Sequence, residues 1–141
     1  MLFKRLVSLL LLAVLLAGCS GLSPGGQSAD TIPVTGLLDE VQGTVAVRDL
    51  GQADFSPAAN GAGLQVGGQI RTGSDGRARL NLSTGTMIRI GPDTLFQFQS
   101  NQPVTGGLLT HIILQAGQVW VSLSGGGVDL ETPSGVASVR G

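Results

Sequence analysis

The sequence predicts an all-β domain whose short, glycine-punctuated strands form a roll, a solenoid-like stack or a sandwich. Glycine is unusually frequent, with 23 of the 141 residues, and only 12% of the residues are charged. Apolar and polar residues also alternate in several short segments, which is the pattern of half-buried strands. After Gly18 no segment has the period of an amphipathic helix, so we expect the leader to be the only helix.

Six segments carry the strand pattern: VQGTVAVRD, GRARLNLS, GTMIRIG, TLFQFQ, GQVWVSL and VDLE. In each of them every second residue is apolar or small, so one face is expected to meet a core. The residues expected on these faces are Val41, Gly43, Val45, Val47, Ala78, Leu80, Leu82, Thr86, Ile88, Ile90, Phe96, Phe98, Val119, Val121, Leu123, Val128 and Leu130.

The connections between these segments have the composition of turns. GSDGR (73–77) and STGT (83–86) place glycine where a positive φ would be needed. GPDT (91–94) is typical of a type I turn with Pro92 at its second position. SNQPVTGGLLTH (100–111) is the least regular stretch, and we expect it to be a longer loop.

Residues 1–18 have the features of a bacterial lipoprotein signal peptide. Lys4 and Arg5 precede an apolar stretch, 6–16, that is too short to cross a bilayer comfortably, which disfavours a transmembrane anchor. The following Leu-Ala-Gly-Cys resembles a lipobox, which implies cleavage between Gly18 and Cys19. Cys19 is the only cysteine, so no intrachain disulfide can form.

The lipobox implies that Cys19 carries a covalent lipid and holds the protein on a membrane that it does not cross. Each buried methylene contributes about 0.8 kcal/mol, and stable anchoring needs more than one acyl chain, which a triacylated Cys19 supplies. Ser20 stands where aspartate would resemble an inner-membrane retention signal, so we expect the outer membrane, facing the periplasm. Residues 19–33 are small and polar and are predicted to be a flexible tether to a domain spanning 34–141.

The residue inventory argues against nucleic-acid binding and against catalysis. Loss of Lys4 and Arg5 with the leader changes the net charge from −1 to −3, and no lysine follows, so a basic patch for phosphates is not expected. His111 is the only histidine, and a zinc site needs three or four ligands. We expect His111 to be a polar loop residue, and we expect no metal, no cofactor beyond the Cys19 lipid, and no enzymatic activity.

Trp120 and the arginines are the candidate binding residues. Tryptophan is highly buried on average, so we expect Trp120 to pack under the loop near His111 or against a neighbouring strand. Arg71, Arg77, Arg79 and Arg89 are expected to form a row on a solvated strand face. A Trp120 that shared this face would instead indicate an anionic or glycan partner.

An ordered set of short motifs resembles the FecR domain. The resemblance covers roughly 41–141 and consists of Gly68, Thr72-Gly73, the turn at Asp75-Gly76, Gly85-Thr86, Gly117 with Val119 and Val121, Thr132-Pro133, and Val139 with Gly141. It implies an all-β module without an active site. In the best-known members this module is periplasmic and belongs to an inner-membrane regulator that relays a transporter signal to a cytoplasmic sigma factor.

Two features differ from those regulators. They have a cytoplasmic segment and a transmembrane helix, whereas this chain has a lipobox. The family pattern also usually continues past Val-Arg-Gly into another strand, so we expect either a fragment or a module truncated at its C-terminus. The resulting prediction is a lipid-anchored module that binds an unknown envelope protein as a scaffold or signalling component; the alternative is a module for peptidoglycan or exported polysaccharide.

Overall fold

The computed structural model describes residues 35–141, which contain twelve β-strands and no helix, as the all-β prediction requires. No helix in this range could therefore span a membrane. The predicted leader, cleavage site, lipidated Cys19 and tether lie outside the described residues. The strands are β1 (Gly36–Gln42), β2 (Val45–Arg48), β3 (Ser56–Pro57), β4 (Gly63–Leu64), β5 (Gln69–Thr72), β6 (Arg77–Leu82), β7 (Met87–Ile90), β8 (Leu95–Val104), β9 (Gly107–Ala116), β10 (Val119–Ser122), β11 (Gly127–Thr132) and β12 (Gly135–Arg140).

The strands form two sheets in a sandwich-like arrangement. The five-stranded sheet has the order β10-β7-β6-β1-β4, and the seven-stranded sheet has the order β12-β11-β9-β8-β5-β2-β3. Neighbouring strands are antiparallel except for β9 and β11, which run parallel. Of the three arrangements that the sequence left open, the structure has the sandwich.

In residues 35–141 an apolar core lies between the sheets and contains residues of both. Leu80 and Ile88 of the five-stranded sheet and Phe96 and Phe98 of the seven-stranded sheet are completely buried. Burial alternates along β6 and β7 and over the first four residues of β8, as the sequence pattern predicts. The period-two alternation is therefore confirmed where it is most regular, because each of these strands has one face on the core.

The segment VQGTVAVRD is not one strand, as its alternation predicts, but a corner between the sheets. β1 ends at Gln42, and β2 begins at Val45 in the other sheet. Gly43 has a φ of 64°, and a Cβ there would collide with the backbone of Asp75. The amide of Thr44 donates to Asp75 Oδ1 at 3.2 Å, and the Gly73 amide donates to the Thr44 carbonyl at 2.9 Å. The corner is thus fixed against the turn that follows β5.

The turn predictions are correct in part. Gly85 has the expected positive φ of 86°. Gly76 does not; glycine is needed there because a Cβ would meet the carbonyl oxygen of Thr44. Asp93 has a φ of 49°, whereas a type I turn holds this third position near about −90°. The type I prediction for 91–94 is therefore wrong, since an aspartate tolerates the left-handed conformation that this turn adopts.

The predicted loop at 100–111 is wrong, because this stretch forms two arms of a hairpin. β8 and β9 remain paired as far as Val104 and Gly107, and the chain turns at Gly106, whose φ is 94°. Thr110 is buried and its hydroxyl donates to Asn101 Oδ1 at 2.7 Å. Two of the polar side chains in this stretch, Asn101 and Thr110, therefore pair with each other across the hairpin.

Candidate binding site

The outer face of the five-stranded sheet carries a row of aromatic and charged side chains. Trp120 of β10 is in register with Arg89 of β7, and Arg89 is in register with Arg79 of β6. Arg79 is in turn opposite Asp39 of β1. Arg77 lies two residues before Arg79 and therefore shares its face, since side chains alternate along a strand.

Trp120 is exposed over 57% of its surface, so the expectation that it would be packed is wrong. β10 lies at the edge of its sheet, and its inner face is occupied by Val119 and Val121, which pack against the core. Alternation then directs the indole outward. His111, near which Trp120 was expected, lies on β9 of the other sheet.

The arginines differ in what they contact. Arg79 forms ion pairs with Asp39 and Glu40 and is half-buried. The Glu40 amide, together with the Arg79 guanidinium, lowers the pKa of the Asp39 carboxyl. Arg77 and Arg89 are exposed and form no ion pair within 35–141. The shared face therefore has guanidinium groups that remain available to a ligand.

Arg71 does not belong to this row, which corrects the prediction that placed four arginines together. It lies on β5 in the seven-stranded sheet, and its guanidinium is 4.4 Å from the centre of the Phe55 ring. Arg48 approaches the same ring at 4.7 Å. Arg71 is thus part of a separate arginine–phenylalanine cluster.

Two grooves adjoin the exposed tryptophan. The larger has a volume of about 540 Å³ and is lined by polar groups and one aromatic surface, among them Glu40, Gln42, Arg77, Arg89, Gln118 and Trp120. The smaller, of about 330 Å³, lies beside Met87, Val121 and Ser122. Trp120 and Arg89 line both grooves. An indole surface, cations and side-chain amides are therefore accessible to one ligand.

Buried threonines hold the strand that carries Trp120. The Gln118 amide donates to Thr94 Oγ1 at 3.1 Å, and the Gly91 amide donates to the Gln118 carbonyl at 2.9 Å. The Thr94 amide in turn donates to Thr72 Oγ1 at 2.9 Å. Gly117 has a φ of 88°, and a Cβ there would collide with Thr94. The start of β10 is therefore fixed from beneath the larger groove.

Sequence reasoning missed this support. The sequence pattern places Thr94 at the end of the predicted turn 91–94 and Thr72 directly before Gly73, but it does not indicate which groups their hydroxyls contact. Their hydrogen bonds join segments 22 to 24 residues apart. A threonine next to a glycine or proline turn is the signal that could have indicated them.

His111 lies on a strand, not in the loop that was expected. Its Nε2 is 3.3 Å from Glu131 Oε2, across the parallel pair of β9 and β11. Residues 35–141 contain no group of three histidine, cysteine, aspartate or glutamate side chains placed to hold a metal ion. His111 is therefore a half-buried polar residue of the seven-stranded sheet, whereas β10 belongs to the five-stranded sheet.

The structure is thus an all-β module with two surface grooves beside an exposed tryptophan. A family model described as "FecR protein" matches residues 68–141, a little more than half of the chain, and the chain belongs to the FecR family. No curated protein and no solved structure gives a significant match. The matched residues include Trp120, Arg77, Arg79 and Arg89. Family membership agrees with a location in the cell envelope and indicates a signalling or regulatory role there.

Proposed function

We propose that this protein is a non-enzymatic, lipid-anchored module that faces the periplasm and binds another envelope protein through the outer face around Trp120. The lipid on Cys19 would hold it on the outer membrane, and the tether would let the domain reach its partner. The role is that of a scaffold or signalling component, in line with its family.

The exposed Trp120 beside Arg89 is the observation that carries this proposal. Tryptophan and arginine, together with tyrosine, are enriched among energetic hot spots of protein interfaces. Here the indole is more than half exposed, and the neighbouring guanidinium has no acidic partner within 35–141. Met87, a residue type also enriched at interfaces, lies in the adjoining groove.

Affinity capture tests the protein partner. The full chain would be used as bait in detergent-solubilised envelopes, in parallel with its Trp120→Ala and Val104→Ala variants. Val104 is also an exposed apolar residue, 41% accessible, but it lies at the hairpin tip of the other sheet. We expect a stoichiometric protein that is lost with Trp120→Ala and kept with Val104→Ala. Equal capture by both variants would contradict the proposal.

Glycan binding is the second candidate, because the larger groove combines an exposed indole with Gln42 and Gln118. Sugar rings stack on aromatic faces, and side-chain amides bond hydroxyl groups. Retention of the full chain on peptidoglycan or on exported polysaccharide, weakened by Trp120→Ala, would support this candidate. Retention that Trp120→Ala leaves unchanged would count against stacking.

The anchor has its own test in the Cys19→Ser variant. Serine lacks the thiol that accepts the lipid, so we expect a soluble and uncleaved product, whereas the parent chain fractionates with membranes. Mass spectrometry would detect the diacylglycerol and acyl groups on the parent. Normal processing and membrane fractionation of Cys19→Ser would show that the lipobox interpretation is wrong.

A further inference from the structure

The edge strand β10 differs from the other sheet edges in the described part of the chain. β3 and β4 have two residues each, and β3 contains Pro57. β12 carries the charged Arg140. Short length, proline and charge all discourage pairing at an edge. β10 reads Val-Trp-Val-Ser, with neither charge nor proline, and it has one sheet neighbour, β7.

The hydrogen-bond register shows which backbone groups of β10 are free. The Gly91 amide donates to the Gln118 carbonyl, so Gln118 belongs to the bonded set of the ladder. Bonded and non-bonded positions alternate in an antiparallel pair, and β10 is antiparallel to β7. Trp120 and Ser122 therefore bond to β7, whereas Val119 and Val121 direct their amides and carbonyls away from the sheet.

The charges around this edge favour an acidic partner. Asp39 and Glu40 both contact Arg79, which leaves Arg77 and Arg89 as the uncompensated charges of the face. Arg89 lines the smaller groove with Val121 and Ser122 of the edge strand itself. This positive site stands on a chain whose net charge is negative. A carboxylate that reached over Ser122 would therefore meet an accessible guanidinium.

We propose that an extended segment of a partner protein adds to the free edge of β10 as a further strand, with carboxylate and apolar side chains alternating along it. Its backbone bonds to Val119 and Val121, its apolar side chains cover the half-buried valines, and its outward side chains meet Trp120 and Arg89. This is β-strand addition, in which the backbone supplies affinity and alternate side chains supply specificity. The inference rests on the proposed protein-binding function and specifies the chemistry of the partner.

A random-peptide display library selected on the full chain tests this proposal. The decisive variant is Val121→Pro, which removes a free-edge amide without breaking a bond to β7 and is tolerated on edge strands. Val121→Ala is its matched control, because it also loses the side chain but keeps the amide. We expect enriched peptides to alternate acidic and apolar residues, and to bind Val121→Pro at least about tenfold more weakly than Val121→Ala.

Two changes in the peptide sharpen the result. N-methylation of the alternate amides that face β10 should abolish binding, whereas methylation of the other set should leave it. Replacement of the carboxylates by lysine should weaken binding by at least about tenfold. Failure to enrich any sequence, equal binding to both Val121 variants, or indifference to N-methylation would overturn the proposal.

Other occupants of the edge give distinct outcomes. A concentration-dependent dimer of the parent chain that Val121→Pro dissociates would show that a second copy fills the edge. A marked fall in the melting temperature of Val121→Pro relative to Val121→Ala, without ligand, would show that the chain covers its own edge. Either result overturns the proposal. If Trp120→Ala abolishes capture of the envelope protein but Val121→Pro does not, strand addition fails and the proposed function stands.

Discussion

Both sheets place arginine beside an aromatic ring on their outer surface, but they leave the two rings in different states. In the seven-stranded sheet Arg48 and Arg71 lie 4.7 and 4.4 Å from the centre of Phe55, and the ring is half-buried. In the five-stranded sheet Trp120 is 57% exposed beside Arg89. Phe55 and its two arginines contact each other through cation–π interactions, whereas the Trp120 ring and the Arg89 guanidinium remain accessible.

The difference separates surface residues that stabilise the fold from those available for binding. Arg48 also donates to the Ala53 carbonyl at 3.1 Å and so ties down the loop that carries Phe55. Arg89 makes no hydrogen bond or ion pair from its side chain within 35–141. We therefore expect substitutions in the Phe55 cluster to change stability and substitutions around Trp120 to change binding.

The largest expected difference in stability is between alanine substitutions at two glycines, one beside each region. Gly117, before the Trp120 strand, and Gly51, in the Phe55 loop, have φ values of 88° and 86°, but only at Gly117 would a Cβ meet other atoms, those of Thr94 and the carbonyl oxygen of Asp93. Gly51→Ala should cost about 1 to 2 kcal/mol of backbone strain. Gly117→Ala should cost about 2 to 4 kcal/mol, because the collision adds to the same strain. Urea unfolding measures both, and equal losses would show that Thr94 yields freely.

Alanine substitutions of the two aromatic residues should differ less, but still measurably, in their effect on stability. Phe55→Ala should lower the free energy of unfolding by about 1 to 2 kcal/mol, because two cation–π contacts and a half-buried ring are lost. Trp120→Ala should change it by less than about 0.5 kcal/mol, as expected of an exposed side chain without such contacts. Thermal and urea unfolding measure the pair. A larger loss for Trp120→Ala would mean that the indole stabilises the fold.

The arginines that face each other across β6 and β7 give a smaller effect. Arg79→Ala removes the ion pairs with Asp39 and Glu40 and should lower the free energy of unfolding by up to about 1 kcal/mol. Arg89→Ala should leave stability unchanged but weaken the binding of acidic peptides. Denaturation and peptide titration of the same two variants separate these effects. Matching behaviour of the variants in both assays would remove the distinction between them.

The sequence predicted the layers of this fold better than its corners and edges. Alternation in β6, β7 and β8 identified core residues such as Leu80 and Phe96 because a core contact recurs every second residue. The same alternation misled at Gly43, where the strand pattern continues although the chain passes to the other sheet. What breaks the strand there is contact with Asp75, which lies 32 residues away. Contacts between residues so far apart in sequence do not alter the alternation of apolar and polar residues.

At the candidate site, too, the local pattern predicted which face a residue occupies but not where its strand lies in the sheet. The alternation of side chains along a strand correctly placed Trp120 on the other face from Val119 and Val121. It also placed Arg77 and Arg79 on one face. It could not show that β10 is an edge strand, so average burial gave the wrong expectation for Trp120. It also could not separate Arg71 from the other arginines, because sheet membership depends on strand order, not on local pattern.

Acid should lower the stability of both sheets, because each sheet contains an aspartate whose pKa is lowered in the folded state. The pKa of Asp39 in the five-stranded sheet is lowered first by the Glu40 amide and then by Arg79. The pKa of Asp129 in the seven-stranded sheet is lowered first by the Ser138 hydroxyl and then by Arg140. Both carboxylates therefore favour the folded state when ionised, and this contribution is complete above the ordinary pKa of 3.8.

The stability from these carboxylates should be lost as the pH falls through their lowered folded-state pKa values. We expect an unfolding free energy that these groups leave flat between about pH 7 and pH 5 and reduce below about pH 4. Asp39→Asn and Asp129→Asn should each be less stable than the parent near neutral pH, and the difference should shrink in acid because the parent carboxyl is then also uncharged. Urea unfolding across this range measures it. A difference from the parent that stays constant into acid would assign the loss to packing and hydrogen bonding of the asparagine, not to carboxylate charge.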